Sequence, residues 1–149
     1  TTITYETGWG IKKVLKLASA HYSYNDLGAC IASGSFSTLG MIVIPCSIKT
    51  LSSITNSFNQ DLLTRAADVN LKEGRPVILV IREAPLHQGH IQLMEKVTRS
   101  GAVIFPPVPA FYTQPKNLDE VVDNIVGRVL ARIGIHNDLY QEWEGRITP

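Results

Sequence analysis

Three short runs of this chain carry residue types suited to holding an anion and moving a proton, and each directly follows an apolar run. Cys46-Ser47-Ile48-Lys49-Thr50 follows residues 41–45 (MIVIP) and offers hydroxyls and amides where a helix should begin. Arg82-Glu83-Ala84-Pro85 follows residues 76–81 (PVILVI) and sets a cation beside a carboxylate. The stretch from Pro106 to the phenol of Tyr112 follows residues 102–105 (AVIF). Open parallel sheets bind ligands at the carboxyl ends of their strands. Three such exits together weigh more than any one of them.

Each group also has an ordinary structural explanation. Ser47 and Thr50 suit a helix cap, Arg82 and Glu83 a surface ion pair, and Tyr112 an interface aromatic. Arg65 and Lys72 stand seven residues apart, two helical turns, and share one face of RAADVNLKE, as solvated cations would. His87 and His90 mimic a metal pair, but no Cys or carboxylate is spaced to complete the shell, so no metal is expected.

The elements that must position these groups alternate between two periods. Runs 41–45, 76–81 and 102–105 are short, unbroken and rich in β-branched residues, as strands buried on both faces require. Between and around them, helical spacing predicts helices over 11–20 (IKKVLKLASA), from Ser47 onward, over 60–72, over 87–99 with Ile91, Met94, Val97 and Thr98 along one side, and over 117–133 with Asn117 as cap. In that last helix Leu118, Val121, Val122, Ile125, Val129 and Leu130 form the apolar stripe. The small-residue run ASGSFSTLG reads as a loop. Strands alternating with helices predict an α/β fold with a parallel sheet and right-handed crossovers.

The chain has 149 residues, enough for one domain over 1–149 with a real core. Its 14 basic and 13 acidic residues are interspersed, which excludes the massed positive face of a nucleic-acid binder. No apolar run is long enough to span a bilayer, and two cysteines are too few for a disulfide framework. A reduced, buried Cys46 is expected.

Three long strings, GSFSTLGMIVIPCSIKTLSSI, DLLTRAADVNLKEGRPVILVIREAPL and FPPVPAFYTQPKNLDEVVDNIVGRVL, resemble the flavin prenyltransferases, formerly called phenylacrylic acid decarboxylases. The ending GIHNDLYQEWEG is similar to their fungal branch. The resemblance implies a flavodoxin-like Rossmann fold with helices on both faces of the sheet, and a dodecamer with sites between subunits. It implies transfer of the dimethylallyl group of dimethylallyl phosphate to N5 and C6 of reduced FMN, without metal. Prenylated FMN would then serve a UbiD-type decarboxylase, in cytoplasm or mitochondrion, with neither nucleic acid nor membrane as partner.

By position in these motifs, the resemblance implies flavin contacts for Ser47, Ile48, Lys49, Thr50 and Arg82. Lys72, Glu83, Tyr112 and Arg128 would hold the allylic phosphate, with Arg65 nearby, and Glu6 of the YET motif would face the reacting centre. Glu83, Glu6 and Lys72 are the implied catalytic groups. Glu83 would supply or relay a proton to the phosphate if burial raises its pKa.

Three departures accompany the match. The family's opening strand, Gly-Ala-Ser-Gly-type loop and helix have no counterpart before Thr1, so the first βα unit is expected to be absent. Ile81 stands where proline is usual, and HQGHIQL replaces a common Ser-Ser-Ile-His-Leu-Glu-Asn. The alternatives are a non-catalytic or regulatory flavin-binding relative and a flavin-dependent decarboxylase of peptidyl- or pantothenoyl-cysteine. The second lacks support from the CSIKT exit.

Overall fold

In the computed structural model, residues 2–143 and 145 are described. Within them the elements run α1 (Thr2–Thr7), α2 (Ile11–Leu15), β1 (Met41–Cys46), α3 (Ile48–Thr55), α4 (Leu62–Lys72), β2 (Val77–Ile81), α5 (Gln88–Arg99), β3 (Ala102–Phe105) and α6 (Leu118–Ala131). Single 3-10 turns occur at Cys30–Ala32 and Phe111–Thr113. The strands form one parallel sheet in the order β1-β2-β3, the α/β arrangement expected from the alternating periods.

Alternation along β2 creates two cores, because successive side chains leave opposite faces of the sheet. Val77, Leu79 and Ile81 join Val43, Leu51, Ile54, Ala67, Val97 and Ala102 on one face, under α3, α4 and α5. Ile78 and Val80 meet Val129 of α6 on the other. All five β2 residues are buried.

Four expectations needed correction. Strand β1 is not buried on both faces: Ile44 is 54% exposed and Pro45 is also exposed. Proline has no N–H for the ladder, and the β1–β2 register shifts between Val43 and Cys46. Helix α2 stops at Leu15, after which Leu17 and Ala18 bond back three residues to Val14 and Leu15. Leu17 projects into solvent, so no packing carries the helix onward. In α5 the packed side is Leu93, Met94 and Val97, while Ile91 and Thr98 face out. In α6, Leu118 and Val122 of the stripe are exposed, and buried Asn124, Gly127 and Val129 mark the inner face.

Caps set where the helices start. Ser47 accepts from the Thr50 amide at 3.2 Å. Asp61 accepts from the Thr64 amide at 2.8 Å and from the Tyr24 hydroxyl at 2.5 Å. Asn117 accepts from the Glu120 amide at 2.9 Å. Gly127 has no room for a Cβ, which would stand 2.9 Å from Leu139 Cβ, so the chain after α6 lies directly on the helix. No described helix is long and apolar enough to cross a membrane.

Candidate functional site

Pro45 forces the end of β1 out of register, but the ladder closes again immediately. The amide of Arg82 donates to the carbonyl of Cys46 at 3.2 Å, tying the first two strand exits together. From that junction α3 begins, with the Ser47 and Thr50 hydroxyls 3.1 Å apart. The amides of Ile48 and Lys49 lie in its open first turn, where a helix has no internal acceptors. This end of the sheet is suited to oxygen-rich or anionic ligand edges.

Arg82 and Glu83 do not pair with each other. They share one cleft, and Arg82 also lines a second that Glu83 does not reach. Arg82 Nη1 reaches Glu6 Oε1 of α1 at 3.6 Å. These two residues border a cleft of about 330 Å³ whose walls are Ile44, Pro45, Val80, Pro107, Val122, Ile125 and Val126. Glu83 borders a different cleft of about 590 Å³, with Ile81, Leu86, Met94 and Pro106 to Pro109; Arg82 touches both. Glu83 is exposed, so this chain alone does not bury it.

At the third exit, Arg128 of α6 stands over the Phe105 ring, 5.9 Å from its centroid. It borders a small hollow with Ile104, Pro106, Val108 and Asn124. Tyr112 is 55% exposed and packs edge-on against Trp143 at 5.8 Å. Sequence reasoning does not single out Trp143. It lies thirty-one positions from Tyr112 in an irregular segment with no periodic signal, and only the fold makes the two rings neighbours.

Lys72 and Arg65 are not brought to these exits. Lys72 ends α4, just ahead of the start of β2 at Val77, so it stands at the amino end of the sheet. Its ammonium contacts Glu73 Oε1 at 2.7 Å. That contact holds the Glu73 carboxyl below its ordinary value. Arg65, two turns earlier, donates from Nε to the Ala32 carbonyl at 3.2 Å and lies 3.8 Å from Asp68.

The remaining titratable candidates have structural employment. His87 caps α5, its Nδ1 accepting from the Gly89 amide at 3.0 Å, and its ring lies 3.6 Å from that of His90. Among the described residues, no group of three or more His, Cys, Asp or Glu side chains gathers to hold a metal. Cys46 is a fully buried free thiol, and burial pushes it up to about 11.

Comparison with known proteins gives the family and the fold. Residues 11–130 match the family model described as Flavoprotein. The chain is 52% identical over 144 residues to Flavin prenyltransferase UbiX of Thauera aromatica, covering 97% of this chain and 74% of that protein. It is 51% identical to Flavin prenyltransferase PAD1, mitochondrial, of Saccharomyces cerevisiae, covering 97% of this chain and 60% of that one. Among solved structures, AnUbiX (PadA1) in complex with FMN and dimethylallyl pyrophosphate superposes with a TM-score of 0.94 at 46% identity, covering 97% of this chain and 77% of that one. A dodecameric FMN-dependent Ubix-like decarboxylase from Escherichia coli O157:H7 gives 0.92 at 44% identity, covering 97% and 78%.

Proposed function

The chain belongs to the flavin prenyltransferases of the Flavoprotein family, and on that premise we propose that it joins the dimethylallyl group of dimethylallyl phosphate to N5 and C6 of reduced FMN. The product, prenylated FMN, goes to a UbiD-type partner decarboxylase. What carries this reading is the Glu6–Arg82 pair at the mouth of an apolar cleft, beside the capped start of α3.

Those residues fit FMN. The open first turn of α3 and the Arg82 guanidinium suit the polar edge and phosphate of a flavin, while Ile44, Pro45, Val80 and Val122 suit an apolar ring and an allyl chain. When bound, the reduced flavin supplies the nucleophilic atoms that accept the allyl group. Ser47, Ile48, Lys49, Thr50 and Arg82 hold and orient it. The apolar walls keep water from an electron-poor allyl carbon.

Cleavage of the allylic C–O bond leaves its electron pair on the phosphate. Cations aimed at those oxygens stabilise the developing charge. That role falls to Lys72 and Arg128, with Arg65 nearby and Tyr112 donating a hydrogen bond. Glu83 supplies or relays a proton to the leaving phosphate, and Glu6 faces the reacting centre. Lys72 and Arg65 stand away from the exits of their own chain, so a complete site draws them from a neighbouring copy. Exposed Leu17, Leu39 and Leu118 give such copies apolar surface to cover. Assembly as a dodecamer, the form of the E. coli structure, is the proposed state. The place of action is cytoplasm or mitochondrion, the latter in keeping with the yeast relative's name.

The test is anaerobic incubation with reduced FMN and dimethylallyl phosphate, followed by mass analysis of the flavin. An adduct one dimethylallyl group heavier is expected. A parallel arm with dimethylallyl diphosphate is needed, because the AnUbiX complex holds that donor. FMN uptake with no adduct from either donor would overturn the proposal in favour of a non-catalytic flavin binder.

A further inference from the structure

The turn after α4, next to Lys72, meets the loop of small residues before β1. Glu73 Oε1 lies 2.7 Å from Lys72 Nζ. Arg75, two residues on, donates from Nη2 to the Gly34 carbonyl at 2.7 Å and from Nη1 to the Phe36 carbonyl at 2.8 Å. The loop backbone is thereby fixed against the same turn that carries the ion pair.

A side chain at Gly34 would enter the space that the Glu73 carboxylate occupies. A Cβ there would collide with Glu73 Oε1 and stand 2.7 Å from Glu73 Cδ and 3.0 Å from Lys72 Nζ. The Gly34 φ is not in the left-handed region, so a substitution there acts by displacing the end of the Glu73 side chain and not by straining the backbone. A solvent-facing pair of adjacent residues would ordinarily carry little weight. This pair differs in that its carboxylate is seated on a clamped loop and flanked by two cations, Lys72 and Arg75.

We propose that Glu73, seated over Gly34, is a positioning residue that holds the Lys72 ammonium in place for the donor phosphate. The inference rests on the reading of Lys72 as a phosphate ligand. A lysine head on a flexible four-carbon stem must be ordered before it can serve as a fixed donor. An ion pair formed before the ligand arrives removes part of that cost, which is the effect of preorganisation. Glu73 keeps acceptor capacity for Lys72 while leaving two ammonium protons free for phosphate oxygens. It touches neither substrate nor flavin.

The experiment measures affinity for dimethylallyl phosphate by calorimetry on the protein loaded with oxidised FMN, together with KM and kcat, for Lys72→Met, Glu73→Gln, Glu73→Ala, Gly34→Ala and the Gly34→Ala/Glu73→Ala double variant. Glu73→Gln and Glu73→Ala are expected to weaken donor binding and raise donor KM about 2- to 5-fold, the range of an exposed ion pair. FMN affinity and kcat should stay near those of the unaltered chain. Gly34→Ala should weaken donor binding alone, but add nothing in the Glu73→Ala background, where the carboxylate it displaces is gone.

A Lys72→Met variant with unchanged donor affinity would overturn the reading of Lys72, and the inference with it. Weakened binding in Lys72→Met with no change in either Glu73 variant would overturn the inference alone. Additive losses in the double variant would show that Gly34 serves something other than the Glu73 seat. Should Gly34→Ala fail to fold, the two Glu73 variants still decide the matter.

Discussion

Glu6 of the first helix faces Arg82 at the exit of the central strand, 3.6 Å from carboxylate oxygen to guanidinium nitrogen, although seventy-six positions separate them in sequence. Both side chains are more than 60% exposed, at 61% and 63%. A pair so placed contributes little to folding, but it sits at the mouth of the apolar cleft. Glu6→Gln should therefore leave the melting temperature within about 2 °C, corresponding to a few tenths of a kcal/mol, while slowing prenylated-flavin formation. A loss of melting temperature that accounts for the lost turnover would contradict this assignment.

Arg82→Met should weaken FMN binding. Hydrogen bonds to charged groups contribute about 1.5–3 kcal/mol, or roughly 10- to 150-fold in Kd. Quenching of flavin fluorescence on titration gives the value directly. An unchanged Kd would remove Arg82 from the flavin contacts.

Glu83 borders a cleft separate from Glu6, so the two carboxylates should fail in different ways. Glu83→Gln keeps size and hydrogen bonding but loses the proton. It should lower kcat about 100-fold or more, the usual scale of general acid catalysis, with FMN affinity unchanged. Single-turnover formation of the adduct, followed by mass, is the measurement. Unchanged turnover would end the proton-transfer role.

Asp61 caps α4, and its carboxyl titrates below the ordinary range. Burial alone would push it up, but the Tyr24 hydroxyl and the Thr64 amide and hydroxyl outweigh that effect. A folded-state value below the unfolded one gives stability that is present above about pH 4 and lost as pH falls through the folded value. Asp61→Ala should cost about 1–2 kcal/mol at neutral pH. Thermal melts between about pH 2.5 and 6 should show a steeper acid decline for the unaltered chain than for Asp61→Asn.

The two cysteines should be distinguishable by reagent. Cys30 is exposed and Cys46 buried, so a thiol reagent at about pH 8 should titrate one thiol in the native chain and two after denaturation. Because burial pushes Cys46 up to about 11 from an unfolded value near 9, the folded form holds its proton longer. Stability from this group is complete below about pH 9 and falls as pH rises toward 11. A Cys46→Ala variant should lose that part of the alkaline decline.

Much of this protein is legible before any fold is considered. Continuous β-branched runs mark the three strands, because a strand buried in a parallel sheet tolerates them. Ser47 and Asn117 read as caps because a helix start needs a side-chain acceptor, and both accept as expected. The three strand exits, and with them Ser47, Arg82 and Glu83, follow from the rule that parallel sheets bind ligands at their carboxyl ends.

Tertiary structure alone decides which of these groups meet. Sequence sets Arg82 beside Glu83, but the ion pair that forms is with Glu6 of α1. Helical spacing puts Lys72 and Arg65 on one face, as solvated cations would stand, and only the family resemblance makes them site residues. The crossover from α4 into β2 carries Lys72 to the far end of the sheet, where its ammonium pairs with Glu73. The same limit hides the exposed side of β1 and the reduced apolar face of α6, since periodicity reports which residues share a face and not what covers it. Local chemistry is written in neighbouring residues, whereas contact between distant ones depends on chain topology, which no single segment encodes.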